Sequence, residues 1–247
     1  MSDLPLISVV TPVFNGEKTI ARTIESLLRQ TYPRVEYIIM DGGSSDRTVA
    51  VAESYRAVFA ERGYLYRIVS GKDSGMYDAL NRGVALATGD IIGQINADDD
   101  YELDALATVA DTYRDTPFTF FYADLRVVKP DKSFIKKAKF TRFATTRHWN
   151  HPTTFIRADI YKSHPYVLAS MYDDFDLILR LRRKGYRPVI CNKPLANFHF
   201  GGMSTRKNLR EVRHRIACRR ANYKRNGYGF IYTIDSALTE FAKFLWG

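Results

Sequence analysis

Asp90–Ile91–Ile92–Gly93–Gln94–Ile95–Asn96–Ala97–Asp98–Asp99–Asp100 runs from a β-rich apolar stretch straight into three consecutive carboxylates. Ile91, Ile92 and Ile95 alternating with small and polar residues read as a buried strand. Three carboxylates at the end of such a strand repel one another unless a cation sits among them. A divalent ion with oxygen ligands answers that repulsion, and Mg²⁺ or Mn²⁺ commonly arrives with a diphosphate. The competing reading is an exposed acidic turn that caps a helix starting near Glu102.

The chain upstream repeats one theme. Leu6–Val13 is a β-rich run ending at the Phe14–Asn15–Gly16 turn, and the spacing of Ile20, Ile24, Leu27 and Leu28 predicts a helix over 18–30. Val35–Met40 is the next strand, followed by the polar turn Asp41–Gly42–Gly43–Ser44–Ser45–Asp46 and a helix over 48–60. Tyr64–Val69 is a third strand and Met76–Ala87 a third helix. Strand and helix alternating in this way imply an α/β fold with a mainly parallel, doubly wound sheet. Ligands in such sheets collect beyond the carboxyl ends of the strands, where the Asn15, Asp41 and Asp98 regions all lie.

The second half reads differently. Phe118–Ala123 and Ser133–Ile135 suggest strands joined by a turn at Lys129–Pro130–Asp131–Lys132, and Arg187–Cys191 a further strand. Asp174–Lys184 reads as an amphipathic helix ended by Gly185. The expected division is 1–205 as one α/β domain with a mixed second half and 206–247 as a basic, helical C-terminal extension.

At 247 residues and 45% hydrophobic content the chain can build a large core. No uninterrupted apolar stretch approaches the roughly 20 residues that cross a bilayer, and Met1–Pro5 lacks the features of a secretory signal. Two widely separated cysteines, Cys191 and Cys218, make neither a disulfide framework nor a metal cluster. These features suggest a cytosolic protein, or one held at the cytosolic face of a membrane. The net charge of +10 is concentrated late in the chain, where Arg206, Lys207, Arg210, Arg213, Arg215, Arg219, Arg220, Lys224 and Arg225 are opposed only by Glu211. Such a segment suits anionic lipid, phosphorylated substrate or nucleic acid, or is simply a solvated helix face.

Several ordered blocks together resemble family 2 glycosyltransferases. Ile7–Gly16 and Met40–Thr48 are similar to the opening of that family, and Asp73–Ser74–Gly75–Met76–Tyr77–Asp78–Ala79–Leu80–Asn81–Arg82–Gly83 and Asn96–Ala97–Asp98–Asp99 match further blocks in order. Asp173–Asp174–Phe175–Asp176–Leu177, Arg180 and Gly201–Gly202–Met203–Ser204 complete a series covering roughly residues 5–205. The resemblance implies a GT-A fold and an inverting, metal-dependent transfer from a nucleotide-diphosphate sugar, a UDP-sugar first among the donors. The acceptor would be a saccharide or a lipid-linked saccharide, in cell-surface polysaccharide synthesis.

By the same resemblance Mg²⁺ or Mn²⁺ is held by Asp98, with Asp99 and Asp100 as the other candidates and His199 completing the metal or diphosphate shell. Asp41 would meet the nucleotide base, with Thr11, Pro12 and Glu17 lining the same pocket and Asn96 beside it. Where many relatives carry a second acid after the position of Asp41, this chain has Gly42. Asp73 and Asp78 would organise their loop and contact the sugar hydroxyls. Asp174 takes the part of the base that deprotonates the acceptor, with helix capping as its structural alternative and Asp173 and Asp176 as the other candidates. His151 is a second histidine with a possible site role, and Lys72 and Arg82 are cations that could face phosphate.

From Arg206 onward, Leu209, Val212, Ile216, Ala217 and Ala221 give a basic helix one apolar side, and Phe230–Trp246 makes an aromatic, amphipathic tail. Attachment to an anionic membrane and packing against the domain or a dimer partner are both compatible with that pattern. A basic nucleic-acid-binding protein would leave the acidic strand ends unexplained, and no recognisable module of that kind is present. A metal-dependent nucleotidyltransferase shares the acidic α/β site but needs no base near Asp174.

Overall fold

A computed structural model describes residues 4–201 and 209–246. The first half follows the expected rhythm: β1 (Ile7–Val13), α1 (Ile20–Leu28), β2 (Val35–Asp41), α2 (Thr48–Ser54), α3 (Arg56–Glu61), β3 (Leu65–Ser70), α4 (Met76–Leu86) and β4 (Ile91–Gln94). The second half contains β5 (Asp100–Tyr101), α5 (Ala105–Asp115), β6 (Phe120–Val128), β7 (Ser133–Lys136), β8 (Phe155–Arg157), α6 (Ala158–Ser163), α7 (Asp173–Arg183), β9 (Val189–His199), α8 (Leu209–Arg225) and α9 (Ile231–Trp246). The strands form a single sheet in the order β3-β2-β1-β4-β8-β6-β9-β5, with β7 off this path and paired to the Leu125–Val128 end of β6.

β1 is parallel to both β2 and β4, with Ile7 opposite Val35 and Ile91, and β2 is parallel to β3. β8 runs antiparallel to β4 and β6, β6 is parallel to β9, and β5 is antiparallel to β9. The sheet is therefore mainly parallel, with β5, β7 and β8 reversed. Alternating β1 residues feed opposite faces, as a period of two requires. Ile7, Val9 and Val13 pack with α1, α2, α3 and α5, whereas Val10 packs with α4, α6 and α7. The sheet is covered on both sides.

Three local departures from the sequence reading matter for the site. The helix expected near Glu102 begins at Ala105, because Asp100 and Tyr101 pair with Asn197 and Ala196 and the Glu102 amide donates to the Leu195 carbonyl. The aspartate run therefore leads into a short strand and does not cap a helix. β9 is far longer than Arg187–Cys191, since it crosses a register break where Asp124 pairs with Pro194 and then continues to His199. A proline inside a strand is tolerated at such an irregularity. The helix expected over 48–60 is divided at Tyr55, whose amide makes a tighter bond to the Ala52 carbonyl while its hydroxyl donates to Glu25 on α1 at 2.9 Å.

On α8 the buried side departs in part from the expected apolar side, although Ile216 is half-buried. Val212 is buried, but Leu209, Ala217 and Ala221 are exposed. The inward positions of α8 include Arg215, Arg219, Asn222 and Tyr223. Arg215 and Arg219 meet Glu240 of α9 at 2.6 and 2.5 Å, and the Arg219 guanidinium lies 4.6 Å from the centre of the Tyr172 ring. Asn222 donates to the Tyr172 carbonyl at 2.7 Å, so α8 is tied to the residue preceding α7. Among the described residues, Arg219 Nε and Nη1 are buried without a hydrogen-bond partner, so the cluster offsets its own desolvation only in part.

Candidate functional site

The loops after β1 and β2 are sewn together by side chains. Asn15, in the left-handed region at φ 50°, accepts from the Ser45 amide at 2.9 Å, and its own amide donates to the Ser44 hydroxyl at 2.7 Å. Asparagine tolerates that backbone better than most residues. Glu17 accepts from the Arg47 amide at 3.0 Å and its own amide donates to Asp46 at 3.1 Å. Thr11 is fully buried and accepts from the Tyr37 hydroxyl at 3.1 Å. The Thr11 side chain thus belongs to the core, and Pro12 is buried next to it. Phe14, absent from the sequence candidates, is 66% exposed at the same strand end.

Asp41 closes β2 and folds the loop that follows. Its Oδ2 accepts from the amides of Gly43 and Ser44, both at 3.1 Å, and from the Ser70 hydroxyl at 2.6 Å. Oδ1 has only a 3.4 Å contact with the Ser44 amide, so that oxygen keeps accepting capacity. A Cβ at Gly42 would lie 2.8 Å from Asp73 Oδ2, so a side chain there would displace the Asp73 carboxylate. The Asp73 carboxylate thus fills the place beside Asp41 that a side chain at 42 would take. Asp73 also accepts from the Gly75 amide at 2.8 Å, and Asp78 accepts from the Ser74 amide at 3.0 Å. Arg82 donates to the Lys72 carbonyl at 3.3 Å, which uses it as a loop brace.

The three aspartates after β4 have three different surroundings. Asp98 lines an open cleft of about 560 Å³ together with Thr19, Arg22, Lys129 and His199. Its backbone carbonyl accepts from Arg22 at 2.6 Å. Asp99 is turned into the protein with no exposure; its Oδ1 accepts from the His199 amide at 3.0 Å and its Oδ2 is buried without a partner. Burial, reinforced by the neighbouring Asp98 charge, pushes the Asp99 carboxyl well above the ordinary carboxylate range, against the opposing pull of the His199 N–H. Asp100 accepts from Asn197 at 2.8 Å and from His199 Nε2 at 2.6 Å.

Asp99 and Asp100 are therefore held by β9, and the His199 imidazole is held by Asp100. Among the described residues no three acidic, histidine or cysteine side chains converge as a ready-made metal cage. What the turn offers the cleft is the Asp98 carboxylate, and the Asn96 Oδ1 close by in sequence is buried without a partner. Gly202, Met203 and Ser204 lie outside the described residues.

The aspartates around the start of α7 separate equally clearly. Asp173 is buried and accepts from the amides of Ala169 and Ser170 at 2.8 and 2.9 Å. Asp176 is buried and accepts from Arg180, Arg225 and Asn226 at 3.1, 2.9 and 2.8 Å. Both are scaffold. Tyr172, not Asp174, occupies the cap position of α7. Asp174 faces His151, whose Nδ1 is 2.9 Å from Oδ2, with both side chains largely enclosed. Nδ1 is also 3.3 Å from Nε2 of Gln94, the last residue of β4, which brings the pair to the strand end that leads into Asp98. Burial, followed by the charge of Asp174, pushes the Tyr77 hydroxyl well above its usual value, and that hydroxyl donates to the Met171 carbonyl at 3.0 Å.

Comparison with known proteins gives these groups a family. The model of glycosyl transferase family 2 matches residues 8–171. A PGL/p-HBAD biosynthesis glycosyltransferase of Mycobacterium bovis is 39% identical over 107 residues, 43% of this chain and 41% of that protein. The chondroitin synthase of Escherichia coli is 36% identical over 111 residues, 45% of this chain and 16% of that one. The chain thus spans about two fifths of the length of the mycobacterial relative. Among solved structures, S. aureus TarS 1-349 in complex with UDP-GlcNAc superposes with a TM-score of 0.68 at 16% identity, covering 96% of this chain and 72% of that one. The mannosyltransferase PcManGT from Pyrobaculum calidifontis, in complex with GDP-Man and Mn²⁺, gives 0.68 at 14% identity over 98% of this chain and 75% of that one. The shared architecture is the GT-A fold. With its ordered strand-end acids and this match over most of its length, the chain belongs to glycosyl transferase family 2.

Proposed function

We propose that the chain is an inverting glycosyltransferase that moves a sugar from a nucleotide diphosphate to a saccharide or lipid-linked saccharide. The observation that carries this reading is the division of labour among the aspartates. Of the six near Asp98 and Asp174, four are consumed by the scaffold, leaving one carboxylate in the cleft and one beside a histidine. A nucleotidyltransferase would have no use for the second.

Asp41 Oδ1 is the acceptor proposed for the ring N–H or amino group of the donor base, with Phe14 offering a ring on which the base can stack. Asp73 stands beside Asp41 and is proposed to carry sugar-hydroxyl contacts. Asp98 and Asn96 supply hard oxygen donors, which suit Mg²⁺ or Mn²⁺, and a site with one carboxylate leaves the remaining positions to diphosphate and water. Bound there, such an ion supplies Lewis-acid stabilisation of the negative charge that develops on the departing diphosphate. PcManGT binding GDP-Man with Mn²⁺ and TarS binding UDP-GlcNAc support a nucleotide-sugar donor. Asp174 is proposed to take the acceptor hydroxyl proton as the new glycosidic bond forms.

A panel of UDP-, GDP- and dTDP-sugars tests the donor reading by thermal shift. The matching donor at about 100 times its Kd adds about 2.7 kcal/mol to stability. That gain should appear with Mn²⁺ or Mg²⁺ and shrink in EDTA. No shift with any donor and either metal would count against the assignment.

The C-terminal hairpin supports a second part of the reading, peripheral attachment to an anionic membrane at the cytosolic face. Among the described residues no helix is long and apolar enough to cross a membrane. Yet α9 turns Ser236 and Glu240 inward and leaves Ile231, Ile234, Leu238 and Phe241 exposed along one stripe, with Phe230 exposed just before it. Arg210, Arg213, Arg220 and Lys224 are exposed on α8, and Arg220 lies 5.8 Å from the centre of the Phe230 ring. Apolar surface flanked by cations favours anionic lipid over a second copy of the same basic chain. Each large side chain inserted is worth about 1.5–3 kcal/mol. Replacing Leu238 with Glu should therefore weaken binding to phosphatidylserine vesicles by roughly tenfold or more. Unchanged sedimentation with vesicles, or a chain that dimerises through this stripe, would overturn this part.

A further inference from the structure

His151 is a surprising neighbour for Asp174, because its Nδ1 is contested. On one side lies the Asp174 Oδ2 carboxylate oxygen at 2.9 Å, and on the other the Gln94 Nε2 amide at 3.3 Å. Gln94 cannot readily turn its carbonyl toward the imidazole. Its Oε1 lies 2.8 Å from the Tyr161 hydroxyl and 2.7 Å from the Tyr166 hydroxyl, which are 2.5 Å from each other. Both tyrosines are buried, and burial pushes both hydroxyls well above their ordinary range, so each keeps its proton. Two hydroxyl protons with only Gln94 Oε1 and one another as acceptors leave at least one pointing at Oε1. The amide is thereby held with its NH₂ toward His151.

Nδ1 therefore has an N–H donor at the longer distance and a carboxylate at the shorter. A single ring nitrogen satisfies one of these at a time, and the shorter, charge-assisted contact selects Nδ1–H donating to Asp174. The other carboxylate oxygen, Oδ1, accepts from the Phe175 amide at 2.7 Å. The carboxylate is thus fixed through both oxygens, one by the backbone of α7 and one by an imidazole. The ring itself lies edge-on to Trp149, centre to centre 6.1 Å, and Trp149 Nε1 is anchored on Thr154 at 2.9 Å.

We propose that His151 is the positioning residue for Asp174, holding the carboxylate at the angle from which it can take the acceptor proton, with the imidazole itself packed edge-on to Trp149 and the Gln94 amide turning the Nδ1 proton toward the carboxylate. This rests on the reading of Asp174 as the base. Correct orientation of a reacting group is worth a large part of the barrier, and a misplacement of about 1 Å costs about 10²-fold. The chemistry at Asp174 is unchanged by the assignment: the acceptor O–H bond breaks, the proton passes to the carboxylate, and the oxygen bonds to the anomeric carbon as the bond from that carbon to the departing nucleoside diphosphate breaks.

The test compares His151→Ala, His151→Asn and Asp174→Asn for transfer rate, acceptor KM and donor-induced thermal shift. His151→Ala should lower kcat about 10²-fold with the donor shift intact. His151→Asn, whose amide N–H can replace Nδ1–H, should recover most of that loss. Asp174→Asn should be inactive with the donor shift intact. Transfer at the wild-type rate in His151→Ala, beside an inactive Asp174→Asn, would overturn the positioning role and leave the base in place. Loss of the donor shift in both His151 variants would overturn it as well, because His151 would then be holding the fold. Normal turnover by Asp174→Asn would instead remove the base reading on which the inference stands.

Discussion

Asp174→Asn is expected to lower transfer by about 10²–10⁴-fold, the range associated with a positioned general base. The substitution keeps the size of the side chain and the bond from the Phe175 amide to Oδ1. It removes the ability to take a proton. Donor binding should persist, because Asp41 and Asp98 lie at other strand ends, and the fold should persist, because Asp173 and Asp176 carry the loop and helix contacts around it. Steady-state kinetics with the accepted donor, alongside the donor thermal shift, separate the two. A variant with normal kcat would show that the proton leaves by another route.

Asp98→Asn is the second large effect. Loss of one group stabilising charge in the transition state costs about 10²–10³-fold in kcat, and the loss here should be accompanied by weaker Mn²⁺ or Mg²⁺ dependence of donor binding. The neighbouring Asp99→Asn is its built-in contrast. Asp99 accepts the His199 amide through Oδ1, a bond that asparagine preserves, and its Oδ2 has no partner to lose. Replacing it also removes a buried carboxyl whose ionised form is disfavoured by burial and by Asp98. Turnover close to wild type and an unchanged or higher Tm are expected for Asp99→Asn, measured by kinetics and thermal melting. If the two variants were equally inactive, the role given to Asp98 alone would fail.

The order of elements through β4 was legible because each strand and helix there has its own apolar period and its own turn. Ile7, Val9 and Val13 against Val10 already announce a sheet covered on both faces. The blocks that resemble the family pointed to Asp41, Asp98 and Asp174, the residues proposed for the donor base, the metal and the acceptor proton. What the sequence could not yield were pairings between distant segments. Asp100 meets His199 across 99 positions, and the strand that brings them together continues through Lys193–Pro194, a pair that reads as a break. His151 meets Asp174 only because β4, the turn before β8 and the first turn of α7 converge, and a lone histidine carries no local mark of that. Thr11 could not be recognised as a core side chain without Tyr37 opposite it. The C-terminal helices misled for another reason. Their buried positions are filled by Arg215, Arg219 and Glu240, whose mutual pairing no hydrophobic period records.

Release of nucleoside diphosphate from a panel of nucleotide sugars, with Mn²⁺ or Mg²⁺ and with saccharide and lipid-linked acceptors, tests the glycosyltransferase reading most directly. At least one donor should yield nucleoside diphosphate and a glycosylated product of inverted anomeric configuration. Both should fall by about 10²-fold or more in Asp98→Asn and Asp174→Asn while the proteins remain folded. Release of pyrophosphate, or retention of the donor's anomeric configuration in the product, would contradict that reading.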